Sequence, residues 1–188
     1  MSGKPIDQLN AGYQALLNEL LEDALASKRV ELAVVTFGPV RLVQDFETPD
    51  MIASTDLEVT GDTPMGEAIE FAIDLVKQRK DVYREAGIAY YRPWIFVITD
   101  GSPTDSWKAA ARAVKEGEAS NAFSLFTVGV EGADMEPLKQ IAVREPIRLK
   151  GLRFAELFRW LSNSLKSVSR SKTTERVALP APTGWAEV

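Results

Sequence analysis

Thr63 and Asp100 are the residues of this chain whose types and surroundings could do chemistry. Asp100 follows directly on the apolar run Trp94-Ile95-Phe96-Val97-Ile98-Thr99 and precedes Gly101, so its carboxylate would be held at the end of a buried strand. Thr63 stands in Gly61-Asp62-Thr63-Pro64, at the entry to an amphipathic helix, where its hydroxyl could offer an oxygen to the same point. Two zeros narrow what that point can do: the 188 residues contain no His and no Cys. A Ser-His-Asp triad, a cysteine nucleophile, imidazole acid–base work and a Cys/His zinc site are therefore excluded. What remains is oxygen, from carboxylates, hydroxyls, carbonyls and water. Such ligands suit a hard cation such as Mg²⁺, Mn²⁺ or Ca²⁺.

Each of these residues also has a purely structural reading. Thr63 before Pro64 makes a good helix cap with a first-turn proline, and Asp62 could cap instead. Asp100-Gly101 is a common turn dipeptide. Ser102-Pro103-Thr104-Asp105 fits a capping box, with Asp in place of the usual Glu, for a helix expected over roughly Thr104 to Ser120. Other features point nowhere specific. There is no GxxxxGK[ST] or GxGxxG phosphate loop, and Gly129-Val130-Glu131-Gly132 reads as a turn. Glu67 and Glu70 mark a solvated helix face, and Asp45 and Glu47 flank a strand end without a partner. Trp107 and Trp160 read as core, and Lys77, Arg79 and Lys80 as a solvated basic run.

The elements that must position Thr63 and Asp100 are legible from periodicity. Ile6, Leu9, Tyr13, Leu16, Leu17, Leu20 and Ala24 form one helical stripe. Val30–Phe37 and Val40–Phe46, around Gly38-Pro39, read as a hairpin at a sheet edge. A loop to Asp62 leads to a helix from about Pro64 to Arg84, with Ile69, Ala72, Ile73 and Val76 inward. After the strand at 94–99 and its helix come a buried strand from Phe123 to Val130, a short helix from Met135 to Val143, a short strand from Ile147 to Leu149 and a last helix from Phe154 to Val168. Alternating strands and helices predict a three-layer, Rossmann-like α/β fold: a mostly parallel sheet with one antiparallel edge hairpin. In such sheets ligands bind outside the carboxyl ends of the strands, which is where Thr63 and Asp100 would lie. Residues 1–168 read as the domain. Residues 169–188 read as a polar linker and a Pro-rich tail carrying Trp185.

The net charge of −5, from 27 acidic and 22 basic residues, argues against a nucleic-acid surface. No run is long and apolar enough for a membrane span, Met1-Ser2-Gly3-Lys4-Pro5 has no signal-peptide character, and the lack of Cys offers no disulfide; a cytoplasmic protein is expected.

Together these residues resemble the von Willebrand factor A domain. That family's metal-ion-dependent adhesion site uses a D-x-S-x-S motif after the first strand, a threonine in a later loop and an aspartate after the fourth strand. Thr63 matches the threonine and Asp100 the aspartate, and Val97-Ile98-Thr99-Asp100-Gly101 is similar to the family's strand-TDG segment. The resemblance covers about Met1 to Val168. Gly3-Lys4-Pro5-Ile6, Thr63-Pro64-Met65-Gly66, the segment Thr99 to Trp107 and the Pro-Thr-Gly-Trp tail resemble the bacterial TerY/YegL-type branch, which is associated with tellurite resistance and often accompanies a kinase and a PP2C-type phosphatase.

The departure is at the start. In that branch an apolar strand and D-x-S-x-S-M precede the segment beginning at Ser2, and Met1 aligns with the final methionine. The first, central strand and its metal ligands are absent from the sequence, so the domain reads as N-terminally truncated. Three consequences are open: the flanking strands pair directly, a neighbouring chain donates a strand, or the natural protein begins upstream of Met1, which is the expectation adopted. An intact member would carry Mg²⁺ (or Mn²⁺ or Ca²⁺), held in part by residues equivalent to Thr63 and Asp100, and bridge through it to a carboxylate of a partner protein. For this chain weak or no Mg²⁺ binding is expected, because two donors leave an octahedral shell to water. The resemblance implies a non-enzymatic protein-binding module of a bacterial stress or phospho-signalling system, with no nucleic-acid or membrane partner. The alternatives are a metal-dependent hydrolase built on Asp100, which lacks a visible base or nucleophile, and a metal-free scaffold docking through its surface and the Trp185 tail.

Overall fold

A computed structural model describes residues 3–53, 56–58, 61–173, 175, 177–182 and 184–187. Met1 and Ser2, and Thr183 of the Pro-Thr-Gly-Trp tail, lie outside the described residues.

The first helix, α1 (Lys4–Leu21), starts with Pro5 in its first turn, where the missing N–H costs nothing, and buries Leu9, Tyr13, Leu16, Leu17 and Leu20. Ala24 lies beyond its end and is exposed. A single turn, α2 (Ala26–Arg29), which periodicity does not announce, leads into β1 (Leu32–Thr36). β1 pairs antiparallel with β2 (Arg41–Glu47) through two irregularities of register. Then follow α3 (Met65–Glu85), β3 (Trp94–Thr99), α4 (Lys108–Ala119), β4 (Ser124–Gly129), α5 (Met135–Ile141), β5 (Ile147–Leu149), α6 (Phe154–Arg170) and β6 (Ala186–Glu187).

Strands β3, β4 and β5 run parallel, and β6 closes the sheet antiparallel to β5. This is the expected α/β architecture, with a mostly parallel sheet and an antiparallel hairpin. Two apolar layers sandwich it. On one face α1 and α6 bury Leu16, Leu20, Phe154 and Leu157 over Val128 and Leu149. The two helices approach closely at Gly12, where a Cβ would sit 2.5 Å from Phe158 Cδ2. On the other face α3, α4 and α5 bury Met65, Ile69, Val114, Leu138 and Ile141 over Ile95 and Leu125.

The segment after α6 returns to the sheet. Trp185 is buried and lies 5.9 Å from the Trp160 ring, Trp160 Nε1 donates to the Pro180 carbonyl at 2.7 Å, and the Lys150 N–H donates to the Trp185 carbonyl at 3.0 Å. The Trp185 side chain is thus spent on the domain's own core. The scaffold alternative, in which this tail docks a partner, loses its anchor.

The hairpin does not join the main sheet. β1–β2 and β3–β6 are two separate sheets, so the strands flanking the expected central position do not close up and pair. Between them runs a cavity of about 370 Å³. It explains a difference from the sequence reading of 94–99 as a strand buried on both faces. Ile95, Val97 and Thr99 are buried, but Trp94, Phe96 and Ile98, toward α1 and α6, are only half-buried. Every residue of β1 is half-buried too.

The basic run on α3 is not simply solvated. Lys77 is exposed, but Arg79 Nε donates to Glu31 Oε2 at 2.7 Å and Lys80 Nζ to the Ala122 carbonyl at 2.9 Å. The helical period turns Arg79 and Lys80 back toward the hairpin and the sheet, where the Glu31 carboxylate and the Ala122 carbonyl accept from them.

Candidate functional site

The strand β3 ends at Thr99, whose side chain is buried and whose hydroxyl accepts the Gly101 N–H at 3.2 Å. The Val130 N–H donates to the Thr99 carbonyl at 2.8 Å, which fastens this turn to the end of β4. Asp100 is therefore delivered to the rim on a braced turn, half-buried, as its position after an apolar strand predicts.

Thr63 is brought to the same place by a different device. Its N–H donates to Thr104 Oγ1 at 3.0 Å, and the Thr104 N–H donates back to the Thr63 carbonyl at 2.9 Å. That reciprocal pair locks the 61–64 loop to the loop after β3. A Cβ on Gly101 would lie 3.4 Å from Thr63 Oγ1, so the threonine hydroxyl stands beside the residue that follows Asp100. The structure brings Thr63 and Asp100 together on one rim. Both, with Asp62, line the upper end of the cavity.

The capping assignments change. Neither Thr63 nor Asp62 caps α3 with its side chain; the cap position is Pro64. Asp105 does the work from across the rim. Its Oδ1 accepts the Gly66 N–H at 3.0 Å and its Oδ2 accepts the Glu67 N–H at 2.8 Å, which satisfies two orphan donors of the helix start. A carboxylate there also meets the favourable end of the helix dipole. The expected capping box fails for the same reason: α4 begins at Lys108, not Thr104, and Trp107 at its cap position makes no side-chain bond. Gly66 is required by this arrangement, since a Cβ would fall 2.7 Å from the Ser106 carbonyl and 2.9 Å from Asp105 Oδ2. Local spacing cannot reveal a cap whose donor and acceptor are 39 residues apart in sequence.

The opposite end of the cavity has other chemistry. Glu31 forms a forked pair with Arg79, at 2.7 and 2.5 Å. Burial pushes the Glu31 carboxyl up, but hydrogen bonds from Arg79 and Tyr83 outweigh it and hold the group below its ordinary range. Tyr83 is pushed up to about 12, first by burial and then by its bond to Glu31. Tyr83 stacks on Tyr90 at 5.8 Å, and Arg79 lies 5.1 Å from the Tyr83 ring.

The family model for the von Willebrand factor type A domain matches residues 16–148. The chain belongs to that family. The crystal structure of the SpRpn10 VWA domain is similar in fold, with a TM-score of 0.50 and 14% identity, covering 79% of this chain and 69% of that one. No curated protein matches the chain. VWA domains are in general protein-interaction modules.

The adhesion-site cation that this family implies can be tested against the donors present. Among the described residues, no cluster of three or more acidic, His or Cys side chains is arranged to hold a metal. The rim supplies the Thr63 hydroxyl and the Asp100 carboxylate. Mg²⁺ demands near-octahedral oxygen geometry and gives up its waters reluctantly. These two donors alone do not fit a resident Mg²⁺.

Proposed function

We propose that this chain is a non-enzymatic, protein-binding VWA module whose partner-facing surface is the rim formed by the 61–64 loop and the turn after β3. The observation that carries this reading is the coupling of the two loops by the reciprocal Thr63–Thr104 hydrogen bonds, which holds Thr63 beside the Asp100 turn in a fixed geometry. A rim prepared in this way offers a partner a hydroxyl and a carboxylate without needing bond-making chemistry.

In this reading Asp100 and Thr63 engage the partner directly or through water, and Mg²⁺ binds weakly or not at all. The similarity to the TerY/YegL-type branch supports a cytoplasmic place in a bacterial stress system, of the tellurite-resistance kind, or in phospho-signalling.

The test has two arms. Calorimetric titration with Mg²⁺ is expected to show no micromolar binding; micromolar affinity that disappears in Asp100→Ala overturns the metal-poor reading. Affinity capture in EDTA then compares the chain with Thr63→Ala and Asp100→Ala. A partner kept by the unaltered chain and lost by both variants supports the rim, whereas equal retention by all three moves the docking surface elsewhere.

A further inference from the structure

The stretch from Pro180 to Glu187 lies on the domain as a bound peptide would. It runs back along α6: the Pro180 carbonyl accepts from Trp160 Nε1 at 2.7 Å, and the Gly184 carbonyl accepts from Arg153 Nη1, at the start of that helix, at 2.7 Å. The chain turns at Gly184, whose φ is +86°, a conformation that favours glycine. It then adds β6 to the edge of β5, with Ala186 opposite Leu149 and Glu187 opposite Arg148. The Lys150 N–H donates to the Trp185 carbonyl at 3.0 Å. Main-chain carbonyls accept all three of these bonds, which is how strand-adding peptides gain affinity, while side-chain pockets supply selectivity. Here the pocket takes Trp185, and Lys150 meets Glu187 at 3.5 Å.

The groove is built independently of its occupant. Trp160 also meets the Phe96 ring edge-on at 6.3 Å, and Arg153 Nε donates to Glu156 Oε1 at 2.8 Å, so both anchors are held from behind. The occupant is held shallowly. Among the described residues from Ser171 to Glu187, only Trp185 and Ala186 are buried, and Pro180, Ala181, Gly184 and Glu187 are exposed. Its tether has slack. The nine residues between Arg170 and Pro180 reach roughly 30 Å when extended, whereas the helix they retrace, from Arg170 to Trp160, is roughly 15 Å long. Few buried contacts and a loose tether are the features of a segment that opens without unfolding the rest.

We propose that the groove between the β5 edge and Trp160 is a recognition site for a segment of a partner protein, and that residues 180–187 are a strap which fills it until the partner displaces them. The partner segment has the strap's own chemistry: a proline whose carbonyl meets the Trp160 indole, a glycine turn, then a tryptophan, a small residue and an acid placed beside the exposed Arg148 and Lys150. The docking surface is the groove, and the strap controls access to it. Tethering raises the strap's effective concentration, so a free segment competes poorly unless the strap is weakened. The inference is independent of the rim reading, because β4 separates β5 from β3 and the Asp100 turn.

The probe is a synthetic peptide reproducing residues 179–187, titrated into the full chain and into full-length Trp185→Ala, with residue-resolved amide hydrogen exchange as a second readout. The peptide is expected to bind Trp185→Ala at least about tenfold more tightly than the unaltered chain and to slow exchange at Lys150 in that variant. A peptide with Trp185→Ala fails to bind, and one with Glu187→Lys binds more weakly beside Arg148 and Lys150. In the unaltered chain the Lys150 amide exchanges at least about tenfold faster than the amides of β4. If Trp185→Ala loses protection at β4, full-length Gly184→Val takes its place, since it strains the turn without emptying the pocket, and the same order of affinities is expected. No binding to a variant that keeps β4 protected overturns the proposal, as does equal binding by the peptide lacking tryptophan. Exchange at Lys150 as slow as in β4 overturns it too, by making the strap a fixed part of the sheet. Peptide-free dimerisation that grows with chain concentration and is lost in Trp185→Ala also overturns it, by giving the groove to a second copy.

Discussion

β1 and β3 are alike in sequence and unlike in structure. Leu-Ala-Val-Val-Thr and Trp-Ile-Phe-Val-Ile-Thr are both continuous apolar runs ending in threonine. β3 is hydrogen-bonded along its full length to β4 and buries Ile95, Val97 and Thr99. β1 holds only the irregular β2 ladder and buries none of its residues fully. The contrast shows that apolar sequence alone does not bury a strand. Burial comes from neighbours on both edges and both faces, and one side of β1 has a slot where a neighbour would be.

The largest expected effect measures that contrast directly. Leu125 on β4 is 0% exposed, and Leu125→Ala is expected to cost about 4 kcal/mol from lost transfer and cavity terms. Val34→Ala on the half-buried β1 is expected to cost less than about 1 kcal/mol. Urea denaturation of both variants checks this; equal losses would erase the distinction between the two sheets. The next effect concerns Glu118, which fastens the well-paired side. It accepts from Arg92 Nη2 at 2.6 Å, from Arg144 and from the Leu125 N–H at 2.7 Å. Glu118→Ala is expected to cost about 3 kcal/mol, because two guanidiniums and a buried amide lose their acceptor. Glu118→Gln should cost less, since one oxygen remains.

The smallest effect sharpens the comparison from the hairpin side, where Glu31 and Arg79 tie the start of β1 to α3. The Glu31 carboxyl is held below its ordinary value, so the folded state binds this proton less readily than the unfolded chain. The stabilisation is present above the ordinary glutamate pKa and is lost as pH falls through the depressed value. Glu31→Gln is expected to lower stability at neutral pH by about 1 kcal/mol and to flatten the acid limb of the stability–pH curve. An unchanged acid limb would show that the clamp contributes nothing to the hairpin.

Much of this molecule was legible before its fold was known. The apolar run of β3 predicts its element to the residue, and the 3.6-residue stripe of α1 predicts its helix except for Ala24, which lies beyond the end, because both signals are local. The turn after β3 placed Asp100 at the rim for the same reason. The start of α4 is not legible locally, since Ser102-Pro103-Thr104-Asp105 fits a capping box for the helix that follows while Asp105 caps α3 and α4 starts at Lys108. The strand β6, two residues long and paired only with β5, has no periodicity to detect. Arg79 and Lys80 looked solvated because the oxygens they reach, on Glu31 and Ala122, are distant in sequence.

By itself, then, the sequence determined the order of the main elements without α2 and β6, the α/β class and the restriction to oxygen chemistry, because periodicity, turn residues and the absence of His and Cys are properties of the chain read locally. Only the tertiary structure decided that Thr63 and Asp100 share a rim, that Trp185 is spent on the core, and that β1 and β3 face each other across an open slot. Those are relations between segments far apart in the chain. They are set by which hydrogen-bonding edges and apolar faces find partners once the layers assemble.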